Sequence, residues 1–152
     1  MHPQTLFSAS GQLAMAGWVL LVFAPRWRWS QRIASAIIPL TLAIVYLLLI
    51  VLYFAKSPGG FGTLAQVAQL FQNPWLLLAG WIHYLAFDLF LGAWQARQAQ
   101  RLGISHFLVV PCLLLTFLFG PIGLLVFWAI RSVVKRQPFL DMDRENRQAS
   151  GH

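Results

Sequence analysis

A chain of 152 residues with 59% hydrophobic side chains, only 10% charged ones and a net charge of +7 does not have the composition of a soluble domain. Such domains are about 25% charged and roughly half apolar, and none of this size has interior enough to hide so much apolar surface. Composition therefore identifies an integral membrane protein. The basic excess does not read as nucleic-acid binding. Its Lys and Arg residues sit in short connectors and towards the C-terminus, where membrane topology requires them, and no basic face is interleaved with aromatics. The single cysteine, Cys112, has no partner for an internal disulfide.

The opening residues MHPQTLFSAS lack the positive n-region of a signal peptide. The apolar run also continues past Ala14-Met15-Ala16, so the first segment is read as retained. It gives a first span over residues 6–24, closed by Pro25. The connector RWRWSQR follows, and its Arg26, Arg28 and Arg32 with Trp27 and Trp29 have the composition of a headgroup interface. Residues 33–55 form the clearest span, uncharged and with Pro39 placed to kink it. KSPGGFG then reads as a loop. TLAQVAQLFQ spaces Leu64, Val67, Ala68 and Phe71 as one helix face, too short to span and suited to the interface.

Pro74 opens the third span, over 75–94, at a favoured first-turn position. QARQAQRLGIS is read as a polar connector, and residues 107–130 as a fourth span interrupted by Pro111 and by GPIG at 120–123. The expected fold is all-α: an integral membrane four-helix bundle with a short interfacial helix between the second and third spans. Residues 1–136 form one membrane domain and 137–152 a polar tail. Four spans place Lys56, Arg131, Lys135, Arg136, Arg144 and Arg147 opposite Arg26, Arg28, Arg32, Arg97 and Arg101. That near-balance leaves orientation open. The first and third connectors are taken as cytoplasmic because the first helix often dominates.

The segment PWLLLAGWIHYLAFDLFLGAW is about as apolar as a span, yet it contains His83, Tyr84 and Asp88. Asp88 is the only acidic residue before Asp141. Ionisable groups inside a span cost at least about 2.5 kcal/mol, so they normally face a bundle interior and mark a site. A neutral Asp88 is an affordable hydrogen-bond donor, and either protonation state keeps it away from lipid. On an ideal helix His83 and Asp88 lie about 140° apart. Asp88 shares a face with Trp81, Tyr84, Gly92 and Gln95, and His83 one with Phe87, Phe90 and Trp94. Meeting at one point needs a π-bulge, or a ligand extended along the helix.

Antiparallel packing of the third and fourth spans would carry His106 to the membrane face where the third span ends. Direct ligation of one metal by His83, Asp88 and His106 is awkward on straight helices, so no metal and no cofactor is assigned. Each group also has a purely structural reading: His83 bonding a neighbouring helix, His106 capping one, and Gly120-Pro121 kinking the fourth.

WIHYLAFDLF at 81–90, His106, Pro111-Cys112-Leu113-Leu114 and GPIGLL at 120–125 resemble the abscisic-acid-deficient-four-like family. These are small four-span proteins named after a plant plastid protein needed to make neoxanthin from violaxanthin. The resemblance covers about residues 17–131 and is most specific in Trp81, His83, Asp88, Leu89, His106, Gly120 and Pro121. It implies an isomerisation in which a carotenoid epoxide opens, which needs a proton donor and a base in a dry site. Asp88 as acid with His83 or His106 as base suits that chemistry. Trp81, Tyr84, Phe87, Gly120 and Pro121 would shape an apolar groove for the substrate.

The chain lacks an Arg/Ser-rich transit peptide, so a multi-pass protein of the bacterial inner membrane is expected, acting on a carotenoid or another isoprenoid. Two other readings stay open. One is a non-catalytic component that binds pigment or assists a partner enzyme. The other is a small oligomeric transporter, since four spans enclose little cavity in a monomer. Membrane lipid, the isoprenoid ligand, and a second copy or partner enzyme are the expected partners.

Overall fold

The computed structural model describes residues 2–135, and the polar tail expected over 137–152 lies outside them. Among the described residues every regular element is a helix. α1 is Pro3–Phe23 and α2 is Arg28–Lys56. A short α3 covers Leu64–Gln72, and the long α4 covers Pro74–Arg101. α5, His106–Phe119, and α6, Pro121–Lys135, complete the set. The chain divides into two compact units, Met1–Trp94 and Gln95–His152.

Three helices, α1, α2 and α4, are long and apolar enough to cross a membrane. Their packing says why the solvent must be lipid. Only 22% of the most apolar window of α2 is buried, and Leu40, Ile44, Leu47, Leu48, Val51 and Leu52 all point outward. A helix apolar on every side and mostly unburied is stable only in hydrocarbon.

In the first unit, α1 turns Ser10, Ala14, Gly17, Trp18 and Leu21 inward, one stripe at helical spacing. Gly17 is where the helices come closest. A methyl there would lie 2.6 Å from Leu89 Cδ2 and 3.1 Å from Ile38 Cδ1, so the missing side chain lets fully buried Leu89 seat against α1. The connector is tied back by Ser30, whose buried hydroxyl donates to the Leu20 carbonyl at 2.9 Å. The same carbonyl also accepts from the Ala24 amide at 2.9 Å, so Ser30 adds a second bond there and ties the connector to the end of α1. Arg28 and Arg32 flank the Trp29 ring, 5.5 and 5.3 Å from its centroid, the cation–aromatic pairing expected of an interface.

Pro39 acts as the sequence implies, but through a π-turn. Residues Ile33–Ile37 widen to π geometry just before it. Proline has no N–H, and its ring crowds the carbonyl four residues back; the wider turn accommodates both. α3 starts at Thr63, whose hydroxyl accepts from the Gln66 amide at 3.2 Å, as an N-cap should.

Two expectations about the C-terminal half need correction. The connector after residue 94 is not a connector: α4 continues for seven more residues to Arg101, burying Gln95, Ala96 and Ala99. It stops at Gly103, with φ of 66°. There the Gly103 amide donates to the Gln100 carbonyl and the Ile104 amide to that of Ala99, the paired bonds of a Schellman stop. The expected fourth span is not one helix either. It breaks at Gly120, with φ of 32°, into α5 and α6, which fold back against each other. A methyl on Gly123 would strike the Thr116 hydroxyl and amide nitrogen and come within 2.6 Å of the Cys112 carbonyl oxygen. In an unbroken helix Gly123 and Cys112 would be about 16 Å apart along the axis.

The two tight glycines should respond differently to a methyl. Ala in a helix is worth about 0.5–1 kcal/mol over Gly. At Gly17 the obstacle is the movable end of Leu89, whereas at Gly123 it is backbone. Gly17→Ala should therefore unfold within about 1 kcal/mol of the parent, while Gly123→Ala loses about 1–3 kcal/mol by overpacking. Thermal unfolding of the purified variants in detergent micelles measures both.

Candidate functional site

The site is built along α4. Asn73 caps the helix by accepting the Trp75 amide at 3.0 Å, and Pro74 takes the first position, where no donor is needed. The helix is α-helical throughout, so no π-bulge brings His83 and Asp88 together. They stay on separate faces. Asp88 is 8% exposed, whereas His83 is exposed.

On the Asp88 face, the Tyr84 hydroxyl one turn back donates to the carboxyl. Asp88 Oδ2 has no partner among the described residues. A buried acceptor without a bond costs about 1–3 kcal/mol, which marks this atom as unexplained by packing alone. The Trp81 ring lies 5.5 Å from that of Tyr84, and Phe7 of α1 lies 5.3 Å from Trp81. Trp81 and Phe7 also line a groove of about 380 Å³ with Pro3, Gln4, Pro74 and Leu77. Trp81 thus touches both this apolar groove and the Tyr84 ring next to the carboxyl.

The His83 face is different in kind. The imidazole centroid is 4.6 Å from Phe87 and 5.6 Å from Tyr46 of α2. It closes a groove of about 220 Å³ walled by Tyr46, Phe54, Phe61, Phe71 and Gly80. Gly80 makes room for Phe71, since a methyl there would sit 2.9 Å from Phe71 Cε1. Beyond Phe87 a second groove, about 320 Å³, is lined by Ser35, Pro39, Leu40, Ala86 and Phe90. His83 and Phe87 therefore stand between two apolar grooves on one side of the helix.

Of the residues expected from sequence, the structure brings Trp81, Tyr84 and Asp88 together on one face and His83 with Phe87 on another. His106, Gly120 and Pro121 belong to the second unit. There His106 is the half-buried first residue of α5, while Gly120 and Pro121 form the break. Phe7, Tyr46, Phe61 and Phe71 are additions. Nothing in their local sequence separates them from the other aromatics, because they come from other helices and a loop.

The second unit holds a polar pair of its own. The Thr116 hydroxyl donates to Gln95 Oε1 at 3.1 Å, with both side chains fully buried. Gln95 Nε2 has no partner among the described residues. Reading residue 95 as connector hid this bond, although helical spacing already put Gln95 on the buried face. Among the described residues no three His, Cys, Asp or Glu side chains gather into a metal-binding group.

Three apolar helices long enough to span, with a hydrogen-bonded carboxyl buried on α4, define a polytopic membrane protein carrying a polar group within a span. The family described as ABA DEFICIENT 4-like matches residues 5–127, and the chain belongs to that family. Neither a curated protein nor a solved structure matches it.

The Gln95–Thr116 bond yields a double-mutant prediction. Thr116→Val strands a buried amide and should cost about 1–3 kcal/mol. The double variant Gln95→Leu/Thr116→Val removes both polar groups and should recover most of that loss. Equilibrium unfolding of the three proteins in mixed micelles reads the difference.

Proposed function

We propose that this protein binds a carotenoid or related isoprenoid along α4 and acts on it as an isomerase of the epoxide-opening type, in a membrane we take to be the bacterial inner membrane. What carries the reading, beyond membership of the family, is the Tyr84–Asp88 pair beside the Trp81 groove. Opening an epoxide takes one proton onto its oxygen and removes one from a neighbouring carbon, so an acid and a base must face the same end of the ligand. His83 and Asp88 do not share a face and make a poor pair. Tyr84 and Asp88 do share one: a phenol that can give a proton, and a carboxyl whose buried second oxygen has no hydrogen-bond partner among the described residues. In this reading they are the reacting groups, Trp81 and Phe7 hold the ligand's ring, and the site stays dry because its surroundings are hydrocarbon.

The His83 face supports a second reading, in which the protein holds a pigment without changing it. The two grooves meeting at His83 and Phe87 suit an elongated apolar molecule and bring no acid beside the imidazole. Coexpression in carotenoid-producing cells, with extracted pigments resolved by chromatography and mass spectrometry, separates the two. Asp88→Asn and Tyr84→Phe should lower conversion at least about 100-fold at unchanged protein level, the scale of a lost general acid or base. His83→Ala should loosen pigment retention with conversion largely kept. Full conversion by Asp88→Asn and Tyr84→Phe together removes the isomerase reading, and pigment that co-purifies chemically unchanged with the parent protein and is lost from His83→Ala supports the second.

A further inference from the structure

The fold-back at Gly120 bears on how the chain crosses the membrane. α5 has 14 residues and α6 has 15, about 21 and 22 Å of helix. The hydrocarbon core is roughly 30 Å thick and takes about 20 helical residues to cross. Neither helix reaches across. They do not add up to one crossing either, because the methyl positions at Gly123 bring α6 back onto the Cys112–Thr116 turn of α5. We infer that α5 and α6 form a re-entrant hairpin, which enters the membrane from the side where α4 ends and leaves on that same side, so that the chain crosses three times and one membrane face collects nearly all of its basic residues.

Three further observations agree with this. First, the turn is apolar and open. Leu118, Phe119, Ile122 and Leu125 around Gly120 are all exposed, and no charged residue lies between Arg101 and Arg131. A tip of this kind belongs in hydrocarbon. Second, two of the backbone amides at the turn are paired: the Gly120 amide donates to the Thr116 carbonyl at 2.9 Å and the Leu124 amide to that of Gly120 at 3.2 Å. Non-helical backbone at membrane depth is tolerated only where its polar groups are met.

Third, the charges fall into order. If α5 and α6 made one span, the described basic residues would divide into Arg26, Arg28, Arg32, Arg97 and Arg101 on one side, and Lys56, Arg131 and Lys135 on the other. With a re-entrant hairpin, Arg131 and Lys135 join the first group and only Lys56 stands opposite. An excess of Lys and Arg marks the cytoplasmic side, so the ends of the hairpin, the start of α2 and the end of α4 all face the cytoplasm. That face fits the anionic headgroups of the inner leaflet. Arg131 is set for such a place, with its guanidinium 4.5 Å from the Trp128 ring centroid at the exit of α6.

The test is the sidedness of the full-length protein in intact membranes. On the unaltered chain, reporters that work only inside or only outside the cytoplasm, fused in turn to each end, should place the N-terminus outside and the C-terminus inside. Both ends on one side overturns the inference. In a Cys112→Ser background, single cysteines at Ala65, Gln100 and Val133 should react with a membrane-impermeant maleimide from opposite faces. Gln100→Cys and Val133→Cys should label together, and Ala65→Cys from the other side. Val133→Cys labelling with Ala65→Cys would instead establish a fourth crossing. Leu118→Cys at the tip should resist aqueous maleimide until detergent is added. Rapid labelling in intact membranes would mean that the hairpin lies on the surface, which also overturns the inference.

Discussion

The constraint on which this structure depends is the absence of water in the bilayer core. Every backbone N–H and C=O at that depth must find a partner within the protein, because an unmet one costs several kcal/mol. Helices are the local solution, and each departure from a plain α-helix here has a paired or widened geometry that keeps the rule. The π-turn at Ile33–Ile37 lets α2 pass the donorless Pro39 without ending. Where α1 stops, the Leu20 carbonyl accepts both the Ala24 amide and the Ser30 hydroxyl. At Gly103 α4 ends with the Gly103 and Ile104 amides donating to the Gln100 and Ala99 carbonyls, and Gly120 reverses the chain with its own amide still engaged.

Against that background the unmet polar atoms stand out. Besides atoms of Gln31, Ser57 and Arg131 near helix ends, Asp88 Oδ2 and Gln95 Nε2 are buried on α4 without a described partner. Packing does not explain them, since Leu at either position would fill the same space at lower cost. A carboxyl buried within a span and tethered by Tyr84 sets one face of α4 apart from the other. On one face a phenol and a carboxyl are adjacent; on the other an imidazole stands among aromatic rings.

Close approach is the second theme. At Gly17 and Gly123 the missing side chain lets a neighbouring helix press on the backbone. In lipid, helices gain nothing from hiding apolar surface from water, so small residues and interdigitated contacts do the holding. At Gly17 the neighbour is the end of Leu89, which can shift. At Gly123 it is the backbone of α5, which cannot. The reversal at Gly120 is therefore the more rigid feature, and the membrane topology follows from it.

Much was legible in the chain alone. Composition required a membrane protein, the apolar runs located α1, α2 and most of α4, and Asp88 was conspicuous as a lone acid in an apolar body. Helical periodicity separated His83 from Asp88 and grouped Asp88 with Trp81 and Tyr84, because 3.6 residues per turn is a local property that needs no neighbours. The rest was decided in three dimensions. Polar letters after residue 94 looked like a connector, but Gln95 finds a buried partner in Thr116, 21 residues on, and the helix continues. The apolar run over 107–130 had the length of a span, since hydropathy counts residues and cannot see direction. Only the contact of Gly123 with the Cys112–Thr116 turn shows that the chain doubles back. The aromatics walling the His83 groove come from α2, α3 and the loop between them, so the groove exists only once those elements pack.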